Sequence, residues 1–149
     1  MKTVASNRKA YHLYHVIRKM EAGIALTGTE VKSIRAGKVN FTDSYAMPQA
    51  GELWLHALDI QPYEKGNIFN HEPKRKRRLL LHKSEIEKCR SESEEKGMAL
   101  VPLSIYVNDK GRIKVEIGLC KGKKLFDKRD DIVKTEAQRA IRQAMKLKR

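Results

Sequence analysis

At 149 residues, with 32 Lys and Arg against 18 Asp and Glu, the chain carries a formal net charge of +14. The length fits one domain with room for a short tail, and the charge asks for a strongly anionic partner: nucleic acid first, an anionic membrane surface second. No apolar run approaches the ~20 residues of a membrane span, and the N-terminus lacks the apolar core of a signal peptide, so the expectation is a cytoplasmic protein with no membrane role.

Residues 1–10 are basic and polar, with Lys2, Arg8 and Lys9 and no acid before Glu21. They read either as a frayed end or as a phosphate-contacting arm. Tyr11 to Arg18 is aromatic and β-branched and predicts a strand, Met20-Glu21-Ala22-Gly23 a turn, and Ile24 to Leu26 a second short strand. Thr27-Gly28-Thr29-Glu30 has the form of a capping box opening a short helix, which Gly37 stops in the left-handed conformation. Val31 and Ile34 form its apolar face; Lys32 and Arg35 share another face, with Lys38 just beyond.

Phe41 to Met47 and Glu52 to Ile60 predict a hairpin around Pro48-Gln49-Ala50-Gly51. Tyr63 to Pro73, with Gly66 and Asn67, reads as a loop, followed by the five adjacent cations Lys74-Arg75-Lys76-Arg77-Arg78. Such a run is either a solvated loop or a nucleic-acid contact. Leu79-Leu80-Leu81 is a short buried strand or a helix lead-in. Ser84-Glu85-Ile86-Glu87 looks like a second capping box, for a polar helix that ends by Gly97 and is weak around Ser91 and Ser93. Leu100 to Val107, the turn at 108–111 and Arg112 to Leu119 make the clearest hairpin, with Ile113, Val115 and Ile117 on a dry face and Arg112, Lys114 and Glu116 on a charged one. About six strands and two short helices predict a mainly β fold, a small closed or part-closed antiparallel barrel. The boundary falls at Cys120, giving a barrel domain over 1–120 and a tail over 121–149.

The tail holds eleven basic residues and four acids, a net +7 in 29 residues, half the charge of the chain. Val133, Ala137, Ala140, Ile141 and Ala144, with Met145 beside them, form a stripe at helical spacing. A lone helix of this length is marginal in water, so the tail is expected to be disordered when free and to fold on a partner.

No catalytic constellation is visible. His12 and His15, three apart on the predicted strand, point to opposite faces. No HxH, CxxC or HExxH pattern occurs, Cys89 and Cys120 read as reduced structural thiols, and no cofactor is expected. Asp127, Asp130 and Asp131 read as a magnesium cluster or, among Lys124, Lys128 and Arg129, as a salt-bridged helix start.

Taken together and in this order, several segments resemble the SsrA-binding proteins, also called small protein B. They are 7–12 (NRKAYH), 21–24 (EAGI), 28–38 (GTEVKSIRAGK), 43–45 (DSY), 76–81 (KRRLLL), 100–103 (LVPL) and 122–129 (GKKLFDKR). The resemblance implies an OB-fold-like antiparallel β-barrel with short flanking helices. It further implies a non-enzyme that binds the tRNA-like domain of transfer-messenger RNA and acts in bacterial trans-translation. There the complex reaches a stalled ribosome with elongation factor Tu and GTP, and the stalled peptide is tagged for proteolysis.

The RNA-binding positions so implied are Asn7, Arg8, Lys9, Glu21, Gly23, Lys32, Arg35, Lys38, Leu80 and Lys114. For Glu21 the competing reading is a turn residue paired with Lys19 or Arg18, and for Leu80 a core residue. Gly122, Lys123, Lys124, Asp127, Lys128, Arg129 and Met145 fall in the segment that resembles the family's tail, which enters the decoding centre and messenger channel of the small ribosomal subunit. The chain departs from the family at Leu13, His15, Arg18 and Lys19, where acids are common, and at Phe126, where Tyr or His is common. A monomer is expected. The alternative is a small basic OB-type ribosomal or ribosome-assembly protein; an RNA-processing enzyme would rest only on scattered histidines.

Overall fold

Hydrophobic alternation of period two builds the strands that dominate this fold. The computed structural model describes residues 1–64 and 70–122. Its elements are β1 (Lys2–Ser6), α1 (Arg8–Leu13), β2 (Tyr14–Ile24), α2 (Gly28–Arg35), β3 (Val39–Asn40), β4 (Tyr45–Gln49), β5 (Glu52–His56), β6 (Asp59–Ile60), β7 (Arg77–Leu80), α3 (Lys83–Glu95), β8 (Ala99–Val107) and β9 (Ile113–Gly122). Six strands close a ring in the order β8-β4-β5-β7-β2-β9, with β9 pairing back on β8. Every pairing is antiparallel. Closure removes the unpaired edges that an open sheet would expose. One edge of β8 lies wholly along β9; the other is divided between β4, at Leu100, and β1, at 104–107. The expected mainly β, OB-like barrel with short flanking helices is the fold observed.

The barrel is filled from alternate positions. Leu53, Leu55, Leu79, Ile105, Val115, Ile117 and Leu119 are fully buried, and Ile34 of α2 and Ile86 and Cys89 of α3 close over the same core. Pro102, in a strand paired on both edges, lies beside a register shift between Pro102 and Ser104, the bulge that lets a residue without an N–H occupy such a strand. The thiols of Cys89 and Cys120 are free and buried, and burial pushes the Cys120 thiol up to about 11.

Several local expectations are corrected. The segment 1–10 is not a frayed end: it forms β1, laid on β8, and the start of α1. Tyr11 to Leu13 is helical, not extended, because Asn7 caps α1: its Oδ1 accepts from the Ala10 amide at 3.3 Å. His12 is therefore helical and His15 lies on β2. Met20 to Gly23 is no turn; it lies in the second half of the eleven-residue β2, which pairs with β9 along almost its whole length. The β4–β5 turn is tighter than expected, Pro48 and Gln49 staying in strand and Ala50 and Gly51 turning with φ of 51° and 77°. Phe41 to Ser44 is a turn before β4, the Ser44 amide donating to the Phe41 carbonyl at 2.9 Å. The second hairpin strand stops at His56, Ala57 turns with φ 62°, and β6 pairs instead with β3. The N-cap of α3 is His82, not Ser84, and the helix is continuous to Glu95, with Gly97 at φ 63° beyond it. Of the two readings of 79–81, the strand is the one observed, for Leu79 and Leu80 of β7.

The basic run 74–78 is partly a structural device. Arg77 is fully buried beside the fully buried Glu30, to which its Nε donates. Arg75 grips the same carboxylate with Nη2 at 2.5 Å and Nε at 3.1 Å. Glu30 is also the acceptor of the reach-back bond of the capping box, from the Thr27 amide at 2.8 Å. Burial would raise the Glu30 carboxyl, but the bonds from Arg75, the Thr27 backbone and Arg77 outweigh it and hold the group below the usual carboxylate range. The cluster fastens the start of α2 to the strand that carries Leu80. The tail stripe, the residues 123–149 and the loop positions Gly66 and Asn67 lie outside the described residues. Gly122 is described: it ends β9, opposite Tyr14.

Candidate nucleic-acid interface

Gly23 is the pivot of the candidate face. Across the barrel wall it pairs with Leu80 of β7 on one side and with Lys114 of β9 on the other. A Cβ on residue 23 would stand 3.1 Å from the Leu80 Cβ, so only a glycine lets Leu80 lie this close to the strand. Leu80 is 48% exposed, an apolar surface residue rather than a core one. Glu21, two residues back along β2, projects from the same side. Glu21, Gly23, Leu80 and Lys114 border one cleft of ≈ 580 Å³. Beyond the Gly23–Leu80–Lys114 line, an adjoining cleft of ≈ 350 Å³ is bordered by Arg35 of α2 and by Arg112.

The chemistry of these groups is mixed. Glu21 accepts a hydrogen bond from the hydroxyl of the buried Tyr106. Burial, then that carboxylate, raises the pKa of the Tyr106 hydroxyl, which therefore keeps its proton and goes on donating. Glu21 is thus oriented from behind while its carboxylate stays at the surface, where it can accept from a base edge or a ribose 2′-hydroxyl. It is not the turn residue of the alternative reading. Arg35, Arg112 and Lys114 supply cations for phosphates around an apolar centre at Leu80.

The other expected positions lie elsewhere. Lys32 sits 5.4 Å from the centroid of the Tyr63 ring, and Lys38 donates to Glu64 at 2.5 Å; both face the segment after β6. Asn7 is buried and spends its side chain internally, Nδ2 donating to the Pro102 carbonyl at 2.8 Å while Oδ1 caps α1. Arg8 and Lys9 are exposed and border a separate cleft of ≈ 350 Å³ with Phe41 to Ser44. The ten expected positions therefore form three groups: the Gly23 face with Arg35, the pair Lys32 and Lys38, and the α1 start.

Sequence reasoning named Arg78 only as one of five adjacent cations, and missed Glu52, His82 and Glu85, which also border the Gly23 cleft, and Tyr106, which orients Glu21. The signal for Arg78 lay in the period of β7: Arg77 and Leu79 point in, Arg78 and Leu80 out. Among the described residues, no group of three His, Cys, Asp or Glu could hold a metal ion, and no helix is long and apolar enough to cross a membrane.

Comparison with known proteins points the same way. A family model described as SmpB protein matches residues 4–147. The chain is 59% identical over 143 residues to the SsrA-binding protein of Desulforudis audaxviator (strain MP104C), spanning 96% of this chain and 93% of that one. It is 56% identical over 146 residues to the SsrA-binding protein of Carboxydothermus hydrogenoformans, spanning 97% of each. A solved structure reported under the words "tmRNA-SmpB: a journey to the center of the bacterial ribosome" is 55% identical, with a TM-score of 0.68 over 80% of this chain and 83% of that one.

Proposed function

The chain belongs to the SmpB family of SsrA-binding proteins, and from that premise we propose that it binds the tRNA-like domain of transfer-messenger RNA and brings that RNA to stalled ribosomes, where the stalled peptide is tagged and the ribosome released. The observation that carries the RNA-binding part is the register that sets Lys114 and Leu80 on either side of Gly23, with Glu21 above them and Arg35 alongside. A carboxylate held by Tyr106, a bare apolar residue and flanking cations suit a folded RNA whose backbone and a few base edges are read together. Lys32 and Lys38, and Arg8 and Lys9, add charge on neighbouring surfaces. The work is binding and delivery, without catalysis, in the cytoplasm and as a monomer.

The ribosomal part is assigned to the tail. Lys123, Lys124, Asp127, Lys128 and Arg129 would meet the decoding centre of the small subunit, and the helix carrying Met145 would lie in the empty messenger channel, folding on ribosomal RNA. Elongation factor Tu with GTP joins through the RNA. Sequencing the RNA that co-purifies with the protein tests the reading. A transfer-messenger RNA is expected; enrichment of 16S or 23S fragments alone would favour a ribosomal or ribosome-assembly protein and overturn it.

A further inference from the structure

The outer face of β4, β5 and β7 carries a cluster of rings that the Gly23 cleft does not explain. Alternation along these strands is strict: Ala46, Leu53, Leu55, Arg77 and Leu79 point into the barrel, whereas Tyr45, Met47, Trp54, His56 and Arg78 point away from it. Register then assembles the outward set. Tyr45 stands opposite His56, Met47 opposite Trp54, and Trp54 opposite Arg78. Tyr45 and His56 are stacked, with ring centroids 5.1 Å apart and planes 11° from parallel. The Lys76 ammonium lies 4.6 Å from the centroid of Trp54. Tyr45 and Met47 are each 45% exposed. An outer sheet face needs none of these large flat groups for the barrel to fold, because the core is filled from the other side.

We propose that this face is a stacking platform for unpaired bases of an RNA strand, continuous through Arg78 with the Gly23 cleft. The proposal rests on the RNA-binding reading for its partner class but not for its geometry. The exposed ring of Tyr45, backed by His56, and the half-buried ring of Trp54 offer π-surface that any base can use, and Lys76 and Arg78 beside them meet the phosphates that accompany the bases. The stack against His56 holds the Tyr45 ring in place before a base arrives. The acid on this outer face, Glu52, stands at the hairpin end opposite Gln49, away from Tyr45. Paired RNA hides its bases and could not use the rings, so the platform selects single-stranded segments.

Trp54 is the only tryptophan of the chain and reports directly on its own surroundings. The full-length protein is titrated, at fixed salt, with an oligouridylate of about ten nucleotides, within the site sizes usual for such surfaces, and in parallel with an RNA duplex of the same length. The expected result is quenching of Trp54 by the single strand and little by the duplex. Tyr45→Leu should weaken single-strand binding roughly 5- to 100-fold, as the loss of one stacked base does, and Tyr45→Phe should restore it. Thermal unfolding of both variants should match the parent. Lys114→Ala should weaken binding of the tRNA-like RNA more than that of the single strand, so that the two surfaces are told apart. No quenching, equal quenching by duplex and single strand, or equal affinities for Tyr45→Leu and Tyr45→Phe would overturn the platform, whatever the tRNA-like RNA does.

Discussion

Replacing Glu30 by Gln is the sharpest perturbation of the scaffold beneath the candidate face. The amide fills the same space but removes the charge that faces Arg77, which is 0% exposed. It also turns one acceptor into a donor aimed at guanidinium donors. Breaking one partner out of a buried ion pair costs about 3–5 kcal/mol. The lower end applies here, because Arg77 keeps carbonyl acceptors at Leu58 (2.7 Å), Pro73 (3.0 Å), Arg75 (3.1 Å) and Glu72 (3.4 Å). A loss of about 3 kcal/mol in a domain of this size lowers Tm by roughly 10 °C. Thermal unfolding at neutral pH measures it. The pH dependence gives the sign. The folded-state pKa of Glu30 is depressed, so its stabilisation is complete above the ordinary carboxyl value of 4.5 and disappears as pH falls through the lower folded value. The stability difference between parent and variant should therefore be full at neutral pH and shrink in acid. A Tm loss below about 2 °C, the size of a surface substitution, would refute the cluster as a clamp between α2 and β7.

Other substitutions test other parts. Gly118→Ala puts a Cβ 2.7 Å from Leu103 Cδ1 and 3.1 Å from Cys120 Sγ, and urea unfolding should register a loss of about 1–3 kcal/mol from overpacking. Lys114→Ala should weaken tRNA-like RNA binding and lower the slope of log affinity against log salt by roughly 0.7–0.9, as for one lost phosphate contact; an unchanged slope would mean that Lys114 acts otherwise. Cys89 and Cys120 should react with an aromatic disulfide reagent at pH 8 far more slowly in the folded protein than in urea, since both are buried and desolvation raises both thiols. Replacing Asp127, Lys128 and Arg129 together by Ala should leave Tm within about 1–2 °C and RNA binding intact while abolishing peptide tagging on stalled ribosomes; retained tagging would refute the functional tail.

What the sequence made legible was local. The β8–β9 hairpin followed from the alternation of Ile113, Val115 and Ile117, and the start of α2 from Thr27 and Glu30. What it hid was long-range. Ala22 and Gly23 looked like a turn because small residues usually are one; here Gly23 is small because Leu80, 57 positions away, lies against it, while Ala22 is buried in the barrel core. Arg77 looked like one more cation of a solvated or nucleic-acid-binding run because its partner Glu30 is 47 positions away. The helix at Tyr11 lost to strand propensity on paper but is set by the cap at Asn7, whose side chain is anchored to Pro102, 95 positions away. The candidate site shows the same division. Family-like segments named its residues one by one, but only the ring closure, with β2 between β7 and β9, brought Glu21, Gly23, Leu80 and Lys114 onto one surface and left Lys32, Lys38 and the α1 start apart.

The central claim is that this surface holds the tRNA-like RNA. The direct measurement is the affinity of the double variant Leu80→Ala and Lys114→Ala for the isolated tRNA-like domain of transfer-messenger RNA, at fixed salt and beside a thermal unfolding control. Loss of one charge-assisted contact is worth about 1.5–3 kcal/mol, roughly ten- to a hundredfold in Kd. Kd should rise at least tenfold, with Tm within a few degrees of the parent because Leu80 is exposed and Lys114 is only half-buried. An unchanged Kd in a folded double variant would contradict the account and move the RNA to another face of the barrel.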